Sequence, residues 1–135
     1  MNAEQKMCAR QCLEGAEANT KTFPEIVGAL VQAGFESYAI DFRRARAVYY
    51  LPSGESMELQ TDANDVAVEP AFDAAALQVA IGEAQALVPG YTYKGFCRKA
   101  KLAGCAGYFV SFVGRRAVYF GRTGETHVEL FPAAE

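Results

Sequence analysis

The chain holds a single histidine, His127, flanked at two-residue spacing by Glu125 and Glu129. An imidazole held by a carboxylate has a fixed tautomer and can serve as a general base, although acyl transfer also needs a nucleophile. His127, Glu125 and Glu129 are therefore the candidate catalytic residues, with Cys97 as a nucleophile to be brought from elsewhere in the chain. Glu55 and Glu58 stand in the first half much as Glu125 and Glu129 do in the second. Paired carboxylates can divide acid and base duties where their environments differ. Solvent-facing strand carboxylates paired with neighbouring arginines leave the same trace, and that is the expected reading.

Four cysteines are present. Cys8 and Cys12 are four apart, and Cys97 and Cys105 are eight apart. Neither spacing matches the short knuckles of structural zinc sites, so the thiols are expected to be small buried hydrophobes. No metal and no cofactor is expected. The chain lacks the phosphate-cradling, dinucleotide-binding, nucleophile-elbow and H-E-x-x-H motifs. Arg43, Arg44 and Arg46, with Arg115 and Arg116, fall in two turn regions. Together with Arg98, Lys99 and Lys101 they sketch an anion or RNA surface, on which Tyr49, Tyr50, Tyr119 and Phe120 could stack. A net charge of −3 argues against nucleic acid as the main partner, and a solvated basic face is expected instead.

The 135 residues are enough for one domain with a core that needs no staples. Acids outnumber bases in the first half of the chain, and bases outnumber acids in the second. No apolar run approaches the roughly 20 residues of a membrane span. The polar opening stretch MNAEQKMCARQCLEGA has no apolar signal region, so no membrane association and a cytoplasmic location are expected.

The elements that must position these residues are written twice. Residues 46–55 read RAVYYLPSGE and residues 116–125 read RAVYFGRTGE. The likeness extends upstream, where Thr22 meets Thr92, Ala33–Gly34 meets Ala103–Gly104, Tyr38 meets Tyr108 and Phe42 meets Phe112. Downstream, aligning Glu58–Leu59 with Glu129–Leu130 requires one inserted residue at His127, which reads as a β-bulge. Thr22 with Glu25 forms a capping box, Pro24 suits a first turn, and Gly34 is a helix stop. Phe23, Ile26, Val27, Leu30 and Val31 follow a helical period. Tyr38, Ile40 and Phe42 alternate as a strand does, a turn falls near Arg43–Ala45, and strands follow near 47–51 and 55–60. The second copy predicts a helix at 92–103 and strands at 108–113, 116–121 and 125–131. Further helices are expected at 3–16 and 73–88, the latter capped by Asp73. Residues 61–72 read as a connector.

The fold expected is α+β: an internal duplication of an α-α-β-β-β unit, with antiparallel sheet packed against helices. It would form one domain of two repeats, about 1–66 and 67–135, around a pseudo-two-fold axis. A three-stranded sheet with two helices leaves one face bare, so the halves are expected to bury those faces against each other. Tyr38, Tyr49, Tyr108 and Tyr119 would then line a cleft between the lobes.

The residues Phe23–Val27, Ala33, Gly34, Tyr38, Arg46, Val48–Tyr50 and Gly54–Glu55 give the doubled pattern F-P-E-[IV]-V, A-G-x-x-x-Y, R-x-V-Y-Y and G-E. It resembles the YbcV-like group of uncharacterised bacterial proteins, some of which carry the label phage envelope protein. The second copy departs from the helix motif, reading YKGFC for FPEIV. The resemblance brings no catalytic residues and implies only a phage link. The functional expectation is a non-catalytic module that binds a small molecule or a protein. Open sheet edges leave a homodimer open as well. The alternatives are the His127 enzyme and a weak anion or RNA binder.

Overall fold

The computed structural model describes residues 1–63 and 66–132, so Asp65 of the connector and the last three residues lie outside the described residues. Helix α1 (Ala3–Glu17) and helix α2 (Phe23–Ala33) precede strands β1 (Ser37–Asp41), β2 (Arg46–Tyr50) and β3 (Ser56–Gln60). Helix α3 (Ala74–Ala86) and helix α4 (Tyr93–Leu102) precede β4 (Cys105–Ser111), β5 (Arg116–Gly121) and β6 (Thr126–Leu130). The local signals act where the sequence places them. Thr22 and Glu25 form the capping box of α2, Gly34 ends that helix at φ 102°, and Asp73 and Thr92 cap α3 and α4. Strand β4 starts three residues before its expected position, because Gly104 ends α4 and the chain enters the sheet at once.

All six strands form one antiparallel sheet in the order β3-β2-β1-β4-β5-β6. The central pair is β1 with β4, in which Tyr38 faces Val110, Ala39 faces Phe109 and Ile40 faces Tyr108. This overturns the expectation that the halves stack face to face. They join edge to edge, because pairing β1 with β4 satisfies the backbone donors and acceptors of two strands that would otherwise end as bare edges. Gly107 permits the approach: a Cβ there would lie 2.3 Å from the Ile40 carbonyl oxygen.

Side chains alternate across the sheet. Tyr38, Ile40, Ala47, Tyr49, Tyr108, Val110, Ala117 and Tyr119 are buried on one face, where they meet Ala9, Cys12, Leu30, Leu77, Ile81, Phe96 and Ala100 of the helices in a single core. Among the described residues, no helix covers the other face. Two adjacent ring pairs recur in this core: Tyr38 with Tyr49 (5.6 Å between centroids) and Tyr108 with Tyr119 (5.2 Å).

The expected bulge at His127 is absent. β5 and β6 pair in continuous register from Arg116–Leu130 to Phe120–Thr126, as β2 and β3 do from Arg46–Gln60 to Tyr50–Ser56. His127 therefore lies opposite Tyr119 as Met57 lies opposite Tyr49. Matching the two Glu-Leu dipeptides shifted the alignment by one, whereas ladder geometry counts residues. The register shift in this sheet lies instead between Cys105 and Gly107.

Candidate functional site

Edge strand β6 turns His127 and Glu129 inward, at the positions where the opposite edge, β3, places Met57 and Leu59. His127 Nε2 lies 3.2 Å from Glu129 Oε2, and Gln85 Nε2 of α3 donates to Glu129 Oε1 at 3.2 Å. A carboxylate accepts, so the imidazole donates its Nε2–H to Glu129. The His127 ring stands 6.4 Å from that of Tyr119. Among the described residues, no hydroxyl or thiol bonds the imidazole. Glu125 is not part of this group: it is exposed in the β5–β6 turn and accepts from Thr123 Oγ1 at 2.9 Å. Gln85 was not legible as a member, since nothing local marks which α3 side chain reaches the sheet edge.

Cys97 does not join His127. It lies in the crevice formed by Glu17, Asp62, Tyr93, Lys94 and Lys101, between α1, α4 and the connector. Burial pushes its thiol up to about 12, and burial likewise raises Cys12 to about 12 and Cys105 to about 11. Reactive cysteines are those whose thiolate is favoured, and these are held as thiols. Cys8 and Cys12 donate to the carbonyls of Ala29 and Ile26, tying α1 to α2. The crevice itself has a volume of about 30 Å³, room for a water molecule rather than a metabolite. Burial raises the Glu17 carboxyl, and its Oε2 accepts from the Asp62 backbone N–H at 2.6 Å, which fastens the connector. Lys101 is 6% exposed, with its ammonium 6.0 Å from the Phe42 ring centroid.

Tyr38, Tyr49, Tyr108 and Tyr119 are all buried in the core, Tyr38 stacked on Tyr49, Tyr108 tilted against Tyr119, and Tyr38 edge-on to Tyr108. Burial raises every one of these hydroxyls, and Tyr108 shares a 2.7 Å hydrogen bond with the Tyr93 hydroxyl.

The arginines divide into two groups at opposite ends of the sheet, because β1 and β4 run antiparallel and their hairpin turns point apart. Most of them serve their own turns. Arg46 donates to the carbonyls of Arg44 and Ala45, Arg116 to Gly114 and Arg115 to Pro132. Arg44 lies 3.7 Å from Glu58. A second hollow, about 230 Å³, lies beside the α3–α4 loop between Val88, Tyr91 and Phe96. Its charged lining groups, Glu83 and Lys99, pair with each other at 2.8 Å.

The uncovered sheet face has a different character. One cross-strand row runs the full width of the sheet: Glu58, Val48, Ala39, Phe109, Val118, Val128. Five of the six are apolar, with Phe109 39% exposed and Val128 45% exposed. Of the flanking rows, one runs through Tyr50 and Arg116 and the other through Arg46 and Phe120. Sequence alternation implied this face, but its bareness depends on how the halves join.

The molecule is thus a two-layer α+β protein with helices on one face of a six-stranded antiparallel sheet and the other face open. Residues 11–129 match the family described as "Protein of unknown function (DUF1398)", and the chain belongs to that family. Among curated proteins, no sequence matches it. No described helix is long and apolar enough to cross a membrane.

Proposed function

We propose that the protein is a non-catalytic interaction module that binds protein through the uncovered face of its sheet. The observation that carries this reading is the apolar row from Val48 to Val128, bordered by Tyr50, Phe120, Arg46 and Arg116. Contiguous apolar patches rimmed by polar groups mark interaction sites on soluble proteins, and aromatic and arginine side chains dominate their energetics. The hollow beside the α3–α4 loop is a weaker candidate, since its charged groups are already paired with each other.

The same reading includes an internal duplication, with halves of about 1–66 and 67–135 around an approximate two-fold axis between Ala39 and Phe109. These two residues occupy equivalent positions in the repeated sequence and face each other across the central strands. The pairs Phe42–Tyr108 and Phe112–Tyr38, at 5.9 and 6.0 Å between centroids, support the same axis. The finer resemblance to the YbcV-like group rests on its motif residues alone. Four free thiols suit a reducing compartment such as the cytoplasm.

A photo-reactive amino acid at position 109 tests the reading, with position 113 at the exposed β4–β5 turn as control. Irradiation in cells should give a discrete adduct from 109 and none from 113. Equal labelling at both sites, or none at either, overturns it.

A second reading takes His127 as a general base, favoured by its bond to Glu129. It lacks a nucleophile. Inward-pointing charges on an edge strand also have a structural use, since they discourage pairing with another chain. Mutating His127 to Gln should leave the adduct at position 109 unchanged if the first reading holds.

A further inference from the structure

We infer that the partner of the uncovered face is a second copy of this chain, its sheet stacked on the first about a two-fold axis parallel to the strands and lying between β1 and β4. The inference rests on the reading of that face as an interaction surface, and it adds the occupant and its orientation.

Two sheets packed face to face lie about 10 Å apart with their strands nearly aligned, so contacts near the centre are governed by the rows already described. A two-fold axis parallel to the strands exchanges left and right. It sets Ala39 of one copy beneath Phe109 of the other, and Val48 beneath Val118. Phe109 is the large exposed ring at the centre of the face, and its ladder neighbour Ala39 is the small residue beside it. Each copy thus presents one projection and one hollow, and the axis seats each projection in the other copy's hollow. A self-complementary pattern of this kind is what an isologous interface requires.

The charges agree. The outward positions of β1, β2 and β3 carry Asp41, Arg46 and Glu58, one acid in excess, whereas those of β4, β5 and β6 carry Arg116 and no acid. The parallel axis lays Glu58 over Val128 and Asp41 over Gly107, so that no acid meets an acid, and it brings Arg116 over Tyr50 and Arg46 over Phe120. Arginine over an aromatic ring is a favourable pairing. The other way to stack two such faces uses an axis across the strands. That arrangement also brings arginine near aromatic rings, but it sets Glu58 on Glu58 and Phe109 on Phe109, with a void between the two Ala39 residues. Like charges and a central collision exclude it.

Analytical ultracentrifugation of the purified full chain over a range of concentrations tests the inference, with circular dichroism to verify folding. The wild type should form a reversible dimer. Phe109→Lys and Ala39→Phe should each weaken association by roughly 30-fold or more. The swap Ala39→Phe with Phe109→Ala should restore it, because projection and hollow have only changed places. A wild type that stays monomeric throughout overturns the inference, as does a dimer indifferent to Phe109→Lys, or a swap that fails to associate while remaining folded. If the wild type is monomeric yet a photo-reactive residue at 109 still captures a discrete protein of different mass, the second-copy inference falls and the interaction reading stands. If neither association nor adduct is seen, both fall.

Discussion

Ala39 of β1 stands directly across from Phe109 of β4, at the centre of a sheet that both halves of the chain build together. The pair faces away from the helices, while their sequence neighbours Tyr38 and Tyr108 lie 5% exposed in the core. Adjacent residues in the same strand therefore answer to different demands.

That contrast is measurable. Tyr108→Ala should cost about 3–5 kcal/mol, the range for removing a large buried aromatic side chain. Phe109→Ser should shift monomer stability by about 0.5 kcal/mol or less, as surface changes do. Urea denaturation at low protein concentration compares the two, and equal losses would mean that the face assignment is wrong.

Glycines separate into those the fold needs and those it merely tolerates. Gly107→Ala drives a methyl group against the Ile40 carbonyl across the central strand pair, where only backbone can yield. It should lower stability by about 2 kcal/mol or more, in the range of severe core overpacking. Gly28 lies inside α2 with open space around it, so Gly28→Ala should raise stability by about 0.5–1 kcal/mol. Thermal melts of both variants check the opposite signs.

Alkaline pH should unfold the protein. Cys12, Cys97 and Cys105 titrate near the ordinary 9.0 in an unfolded chain, but burial holds them at about 12, 12 and 11 in the folded one. The buried tyrosines are raised by the same cause. For a raised acid the neutral form is the folded form, so its stabilising contribution is complete below about pH 9 and is lost as pH climbs through the folded value. Denaturation midpoints should be level from neutral pH to about 9 and fall above it. Midpoints that stayed level well above pH 9 would contradict this.

The β6 edge offers a fourth test. Replacing His127 and Glu129 together by Met and Leu reproduces the inward residues of β3 and exchanges a polar pair for apolar packing. Such exchanges are often neutral or stabilising, but this one removes the inward carboxylate that guards an open edge. The double variant should keep its melting temperature and scatter more light on storage. Unchanged scattering would leave the pair without that protective role.

The elements were legible because their causes are local. Thr22, Asp73 and Thr92 cap helices through bonds to residues three positions on, and alternation of Tyr38, Ile40 and Phe42 reflects the two-residue period of any strand. His127 with Glu129 was also within reach, since inward strand positions recur every second residue.

The sequence by itself thus determined the helices, the hairpins and the doubled order of the chain. Only the tertiary structure decided that β1 would pair with β4, that the tyrosines would fill a core rather than line a cleft, and that the arginines would part to opposite ends. The physical reason is that strand pairing is chosen among partners about seventy positions apart, by backbone hydrogen bonding and by the close approach that Gly107 allows. No periodicity within a single strand encodes that choice.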